Sequence, residues 1–370
     1  MAQQDSVGSP DQAPGTGSSA LPGVSKGKPY LTVITIFHDR THYLPEAVRS
    51  VLSQAEDDLV EVLVVGPSRP ESIADLIDAG SVRFVPCSEP SLGAKVARGI
   101  EAAGGDFVAF LEDDYTFAES KVATLLRQFS TNPHLAYFQN GFDLIDSRGG
   151  AYGGRYVRRP AMRRWAQHGR IRVRGRATGR ELRVLAWVPA GHSLSSMAVR
   201  RRLVADRVAL IREVGYAIDL SIFAIALVTA DTELVLDPIS LTHLRVHDTL
   251  SNPQKVETLT VLTQLAWDGR HALLQFVNSA GPRDLTRAWE GLTAASDFIH
   301  YLKTGVTSRR TFAAALLTSL AHWDSFGVQS RWPFVALGLV STVSPRLGRA
   351  TYVALRNASA AVEAPLPPSV

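Results

Sequence analysis

The sequence predicts an α/β protein, a mostly parallel sheet flanked by helices, followed by an appended α-helical region. Three observations carry this. Between Tyr30 and Leu111, four strand-length apolar runs alternate with three segments of helical period. The fourth run ends abruptly in Glu112-Asp113-Asp114, three carboxylates at the carboxyl end of a strand, which is where parallel sheets bind ligands. Beyond Asn252-Pro253 the strand pattern disappears and helical periodicity continues almost throughout.

The elements follow in order. "YLTVITIF" (30–37) is apolar and β-branched, long enough for a strand and too short for a helix. "LPEAVRSVLSQ" (44–54) spaces Leu44, Ala47, Val48, Val51 and Leu52 as one helical face. "LVEVLVV" (59–65) is a second buried strand closed by Gly66-Pro67, and "SIADLIDAG" (72–80) is a short helix stopped by Gly80. "VRFVPC" (82–87) is a third strand, "GAKVARGIEAAGG" (93–105) a helix ended by paired glycines, and "FVAFL" (107–111) a fourth strand. Strands and helices alternating at this spacing read as parallel strands with crossover helices.

The middle is less regular. Residues 155–183 hold eleven arginines without an early apolar period and read as a cationic loop. A fifth strand is expected at "LRVLAWVPA" (182–190), then helix through "SLSSMAVRRRLVADRVALIREVG", a buried helix starting near Asp219, and an extended segment at "LVLDPISLTHLRVH" (234–247). The expected organisation is a disordered tail (1–28), a sheet domain (29–254), a helical extension (255–330) and an amphipathic, apolar tail (331–370). That tail has too few successive apolar residues for the ~20 of a membrane span. With Arg346, Arg349 and Arg356 it reads either as a segment lying on an anionic membrane or as a packing helix that closes the core.

Composition sets limits. The 370 residues are 45% hydrophobic and 20% charged, with a formal net charge of +4, so bulk charge does not argue for a nucleic-acid partner. Cys87 is the only cysteine, which excludes an internal disulfide and a thiolate-rich zinc site and fits a reducing cytoplasm. The first 28 residues lack the apolar stretch of a signal peptide. "GHSLS" (191–195) lacks the last glycine of a nucleophile elbow. No Gly-rich loop ends in the Gly-Lys-Ser/Thr of a P-loop.

Adjacent carboxylates at a strand end suit a hard divalent cation, Mg²⁺ or Mn²⁺, shared with substrate phosphates. A solvated acidic turn is the alternative. In "HLRVH" (243–247) the alternation puts His243, Arg245 and His247 on one strand face. Arg offers a fork of donors to phosphate oxygens, and a neutral His can complete a metal shell. A solvent-facing edge strand is the plain alternative.

From Tyr30 to about Ser251 the chain resembles the family 2 glycosyltransferases, enzymes of the Rossmann-like GT-A fold that use nucleotide sugars. The match rests on "VITIFHDRTHYLPEAVRSVLSQ", "GIEAAGGDFVAFLEDDYTF" and "LVLDPISLTHLRVHDTLS", in order and well spaced. The resemblance implies that Glu112-Asp113-Asp114 is the donor-binding metal motif, with Asp114 and His247 on the cation. It implies that Asp39 lies near the nucleoside and Arg245 near the diphosphate. Asp219, the only acid of "VGYAIDLSIFAIALV", takes the place of the general base of an inverting transfer. An N-cap role for Asp219 is the structural alternative.

The sequence departs from the family in four places, the first being Glu112 in the first acidic position of the motif, where it keeps the charge. Gly66 and Pro67 stand where nucleoside-binding aspartates are usual, "KVAR" makes Lys95 or Arg98 the substitute phosphate or base contact, and Ile218 replaces a glutamate. The implied function is sugar transfer from a nucleotide-sugar donor to a glycan or polyprenyl-linked acceptor, in cell-surface polysaccharide or glycoconjugate synthesis. The rival is a relative that binds sugar nucleotides without turnover. Arg158, Arg159, Arg163 and Arg164 are expected either to hold a phosphate-bearing acceptor or anionic lipid, or to be a solvated basic surface. The expected location is cytoplasmic, with peripheral attachment to the inner face of the cell membrane where the tail engages it.

Overall fold

Four parallel strands form where the apolar runs are densest: β1 (Leu31–Ile36), β2 (Val60–Gly66), β3 (Arg83–Pro86) and β4 (Phe107–Glu112). They stand in the order β3-β2-β1-β4. The structure, a computed structural model, describes residues 30–39, 41–55, 59–153, 159–177, 179–185, 188–246, 256–304, 308–321 and 331–363. The N-terminal tail, Arg158 and His247 lie outside the described residues, as does the side chain of Arg159.

The crossover helices are α1 (Leu44–Leu52), α2 (Ala74–Asp78) and α3 (Leu92–Ala102). α1 buries Leu44, Ala47, Val48 and Val51, the face its spacing predicts. α3 starts at Ser91, whose Oγ accepts the Ala94 N–H at 3.1 Å. It lies close on the sheet because Gly99 has no side chain: a Cβ there would sit 2.5 Å from Ile34 Cγ2.

The second half completes a nine-stranded sheet. It adds β5 (Thr116–Phe117), α4 (Lys121–Thr131), β6 (Leu135–Ile145), α5 (Arg159–His168), β7 (Ile171–Arg174) and α6 (Gly179–Leu185). Then come β8 (Met197–Arg200), α7 (Arg201–Ala205), α8 (Val208–Val214), α9 (Ile218–Val228) and β9 (Glu233–Arg245). β8 joins β4 and β6 antiparallel, and β6 and β9 run parallel. The far side of β9 carries β7 along its first half and β5 along its second, both antiparallel. The sheet is therefore all parallel only through β4.

Two expectations are corrected here. Residues 182–190 are not a strand. Leu182 and Leu185, three apart, are both buried on α6, and 188–190 form a turn, where Pro189 could donate nothing to a ladder. The strand in this region is Met197–Arg200, inside the segment expected to be helical. The arginine-rich stretch is also not one open loop. It contains α5 and β7, and three of its arginines pair with acids of β9: Arg170 with Asp237, Arg172 with Glu233 at 2.7 Å, and Arg174 with Glu233 at 3.1 Å.

The last third is helical: α10 (Val256–Ala280), α11 (Arg283–Thr304), α12 (Arg309–Ala321), α13 (Arg331–Val343) and α14 (Pro345–Glu363). Its first two helices share the sheet's core. Leu273, Val277, Leu285 and Trp289 join one cluster with α3, α8 and α9, while α1 and α4 cover the opposite face. A small separate cluster, including Phe298, Phe312 and Leu337, links α11, α12 and α13.

Candidate active site

Register brings the four parallel strand ends level. Ile36 pairs with both Val65 and Glu112, and Gly66 with Pro86. His38-Asp39, Gly66-Pro67, Cys87 and Glu112-Asp113-Asp114 therefore line one rim, as the sequence predicts. Gly66 has a local reason. The Phe37 ring fills the space above it, and a Cβ at 66 would lie 2.0 Å from that ring, so no aspartate fits at this point.

Lys95 reaches the rim from α3. Its Nζ lies 2.8 Å from His38 Nδ1 and donates to the Pro90 carbonyl at 3.3 Å. Burial lowers its pKa, and the charges of Cys87 and Asp39 act in the opposite sense. The exposed Asp39 thus shares the β1 end with a cation. Arg98 does not join them. It is exposed one turn along and faces Glu101 at 3.9 Å, an acid it shares with Arg212 of α8.

The three acids are held from two sides. The Glu112 N–H donates to Ser195 Oγ at 2.9 Å, and that hydroxyl donates to Glu112 Oε2 at 3.2 Å. Burial, then the charges of Asp114 and Asp219, push the Glu112 carboxyl up to about 8 against that hydrogen bond. Asp113 and Asp114 are buried. From the other side, Arg245 donates through Nε to the Asp114 carbonyl (3.0 Å), through Nη1 to the Asp146 carbonyl (3.0 Å) and through Nη2 to Glu46 (2.6 Å). Its guanidinium also lies 4.4 Å from the Tyr43 ring centroid, and its side chain is 1% exposed. Arg245 is therefore a clamp on the motif's backbone, committed to protein groups. Its neighbour His243 shares the face the alternation assigns and contacts Thr116 Oγ1 at 3.2 Å.

Asp219 lies in the first turn of α9, whose N-cap is Ala217. The capping alternative is thereby corrected, since Asp219 is two residues inside the cap. Its Oδ1 accepts the Leu220 N–H at 2.8 Å and its Oδ2 the Ser193 N–H at 3.2 Å. The 189–196 loop thus touches both Glu112 and Asp219. Its shape depends on a left-handed backbone at Gly191 (φ +65) and Ser193 (φ +63). Gln139 fixes it by accepting the Gly191 N–H and donating to the Pro189 and His192 carbonyls. Lys121, fully buried, donates to the Ser195 carbonyl and to Thr242 Oγ1. Burial holds its pKa well below the usual lysine value.

Sequence reasoning missed Lys121, Gln139, Ser195 and also Tyr216. Tyr216 is 40% exposed, and burial followed by the charges of Glu112 and Asp219 raises its phenol. The one available signal was "AGHS" (190–193), a glycine beside small polar residues just before a strand. Among the described residues, no three His, Cys, Asp or Glu side chains converge as a metal cage. An all-oxygen set at a strand end still fits a cation that takes one or two protein carboxylates and completes its shell with phosphate and water.

Residues 32–207 match the family model described as Glycosyl transferase family 2. The chain carries a family 2 glycosyl transferase domain. This transferase has the GT-A architecture that its sequence predicts. It is similar to TarS 1–349 from S. aureus, solved in complex with UDP-GlcNAc, at 12% identity and a TM-score of 0.46, over 80% of this chain and 89% of that one. It is also similar to the mannosyltransferase PcManGT from Pyrobaculum calidifontis, solved in complex with GDP-Man and Mn²⁺, at 13% identity and a TM-score of 0.48, over 87% and 82%. At that distance neither assigns a donor or a metal to this transferase. No curated protein sequence matches it.

Proposed function

We propose that the transferase moves a sugar from a nucleotide-sugar donor to a hydroxyl of a glycan or lipid-linked acceptor, with inversion and with a divalent cation. The observation that carries this is the 189–196 loop, which places Asp219 beside the acidic end of β4. The nucleoside lies over the β1 end near Asp39 and Lys95, and the diphosphate lies at Asp114. A bound Mg²⁺ or Mn²⁺ would be held by Asp114, with Asp113 or Glu112 as the second carboxylate, and would neutralise charge on the leaving diphosphate. Asp219 takes the acceptor hydroxyl's proton while that oxygen forms a bond to the anomeric carbon. The bond from that carbon to the diphosphate oxygen breaks, and nucleoside diphosphate leaves. Arg245 keeps Asp114 in place from behind, and Ser193 orients Asp219.

The deciding measurement is a thermal-shift screen of nucleotide sugars with Mn²⁺, since a ligand that binds only the native state raises its melting temperature. A donor should stabilise the wild type, and Asp114→Asn should lose that metal-dependent shift while keeping its fold. Equal shifts in both proteins would remove the metal role from Asp114. The rival reading, binding without turnover, is favoured by Phe37 filling the space above Gly66 and by Ile218, 1% exposed, in place of an acid. Donor hydrolysis in Mn²⁺ separates the two, because only a catalyst releases free sugar.

An acceptor at a membrane fits the C-terminal helices. No helix among the described residues is long and apolar enough to cross a membrane. Of the eight exposed large hydrophobics there, six lie between Leu317 and Val353. The reading is peripheral contact with an anionic lipid surface, in cell-surface polysaccharide or glycoconjugate synthesis.

A further inference from the structure

A cavity of about 630 Å³ opens on the side of the carboxylates away from β1, β2 and β3. Its floor is the β5–β9 edge, at Thr116 and His243, and its walls include Phe142 and Asp143 of β6, Tyr152, and Arg163 of α5. Glu46 of α1 closes one end. Two contacts join it to the chemistry. Arg245 holds Glu46 and the Asp114 carbonyl with one guanidinium. Phe142 meets the His192 ring at 5.5 Å, edge to face, and the next residue, Ser193, donates to Asp219. The cavity is therefore linked through Arg245 to the metal motif and through His192 to the loop that holds the base.

The wall is pre-formed. Asp146 Oδ1 accepts the N–H groups of Arg148 and Gly150, the Tyr152 N–H donates to the Leu144 carbonyl, and Arg245 donates to the Asp146 carbonyl. Such rigidity lowers the ordering cost of binding. The volume suits a small-ligand site, typically ~300–1,000 Å³.

We infer that this cavity binds the non-reacting sugar units of the acceptor, as an uncharged, hydroxyl-rich glycan. The inference rests on the glycosyl-transfer reading for the word acceptor, but the binding chemistry stands on the cavity itself. Its charges are mixed: Glu46 and Asp143 against Arg163, with Glu46 already paired to Arg245. Among the described lining residues a phosphate would meet Asp143 and the paired Glu46 beside Arg163 and His243, a mixed set that repays little of its hydration. Hydroxyls both donate and accept, so carboxylate, guanidinium and imidazole can all bond to them. Phe142, Tyr152 and Met162 supply apolar surface for the C–H faces of sugar rings. Arg163, expected from the sequence either to hold a phosphate-bearing acceptor or anionic lipid or to be solvated, is thereby assigned to a glycan.

The test applies the fluorescently tagged full chain to an array of neutral, amino and phosphorylated oligosaccharides. Wild type should bind uncharged oligosaccharides, with affinity falling at least tenfold in Asp143→Ala and in Tyr152→Ala. Asp143 is exposed, so its replacement leaves folding intact, and Asp143→Asn provides a second variant. Donor-induced thermal shifts with Mn²⁺ should match wild type in both. A wild type that binds no glycan, or variants that bind as well as wild type, overturns the inference. Binding confined to phosphorylated glycans and abolished by Arg163→Ala overturns it too, by making the cavity an anion site. Glycan binding that depends on Asp143 in a chain that no nucleotide sugar stabilises would keep the cavity assignment and remove the transferase reading.

Discussion

Glu112 and Asp219 are both hydrogen-bonded by the loop before β8, and burial sets the protonation of Glu112. With its carboxyl at about 8, Glu112 is neutral in the fold at pH 7, whereas the unfolded chain ionises it near 4.5. Between those values the folded state binds more protons, so stability falls as pH rises from about 4.5 to about 8, by at most about 5 kcal/mol. In chelator, Glu112→Gln should flatten this part of the pH–stability curve measured by urea unfolding, and a variant as steep as wild type would count against a neutral Glu112. Asp219→Asn should cut transfer by about 10²–10⁴-fold while donor binding survives. The amide oxygen can still accept one of the Ser193 and Leu220 N–H groups, so the melting temperature should fall only slightly. Asp219→Ala loses that bond as well, at about 1 kcal/mol. Near-normal turnover in the Asn variant would move the base elsewhere. The acids themselves were legible in the sequence because three carboxylates at a strand end are conspicuous. The work of Arg245 was not, since a phosphate-facing arginine and a buried clamp read alike until Glu46, 199 residues away, is placed beside it.

The same division holds for elements. β1, β2 and β4 could be read because strands buried on both faces are continuous apolar runs. β6 could not, because its middle carries Gln139 and Asn140, both fully buried, whose partners lie on distant segments. Gln139 serves the 189–196 loop and Asn140 donates to Thr242 Oγ1. β8 is four residues long and owes its existence to pairing with β4 and β6, which no local pattern announces. The loop between α6 and β8 is where these missed elements converge, and it has a specific weakness. At Gly191 the backbone is left-handed and a Cβ would lie 2.8 Å from the Phe223 ring. Gly191→Ala should therefore cost about 1–3 kcal/mol in local strain and shift the Ser193 N–H away from Asp219. The expected result is a fall in kcat with unchanged donor-induced thermal shift. A variant with wild-type kcat would show that the loop does not set the base.

At the scale of the whole molecule, the helical region divides in two. α10 and α11 are part of the sheet's core, whereas α12 to α14 rest on a small cluster and expose apolar side chains. Leu339 and Val343, one turn apart on α13, are 57% and 72% exposed, and Leu347 at the start of α14 is 58% exposed. Exposed Arg346 and Arg349 flank Leu347, and from Ser308 to Val362 the sequence has six arginines against one acid, Asp324. Burying each leucine-sized side chain is worth about 1.5–3 kcal/mol, and each arginine near an anionic surface about 1 kcal/mol. An anionic bilayer rewards both features together, whereas a neutral surface rewards only the first. The full chain should therefore sediment with vesicles of phosphatidylcholine and phosphatidylglycerol more than with pure phosphatidylcholine, and less as salt screens the arginines. Leu339→Ser, Val343→Ser and Leu347→Ser combined should lower that binding more than tenfold, since ~1.4 kcal/mol is a factor of ten. Replacing Arg346 and Arg349 by glutamate should remove the preference for the anionic lipid and leave the apolar share. Donor-induced thermal shifts should not change in either variant, because these helices lie outside the site. A wild type left in the supernatant with both vesicle types would mean that this surface meets something other than lipid.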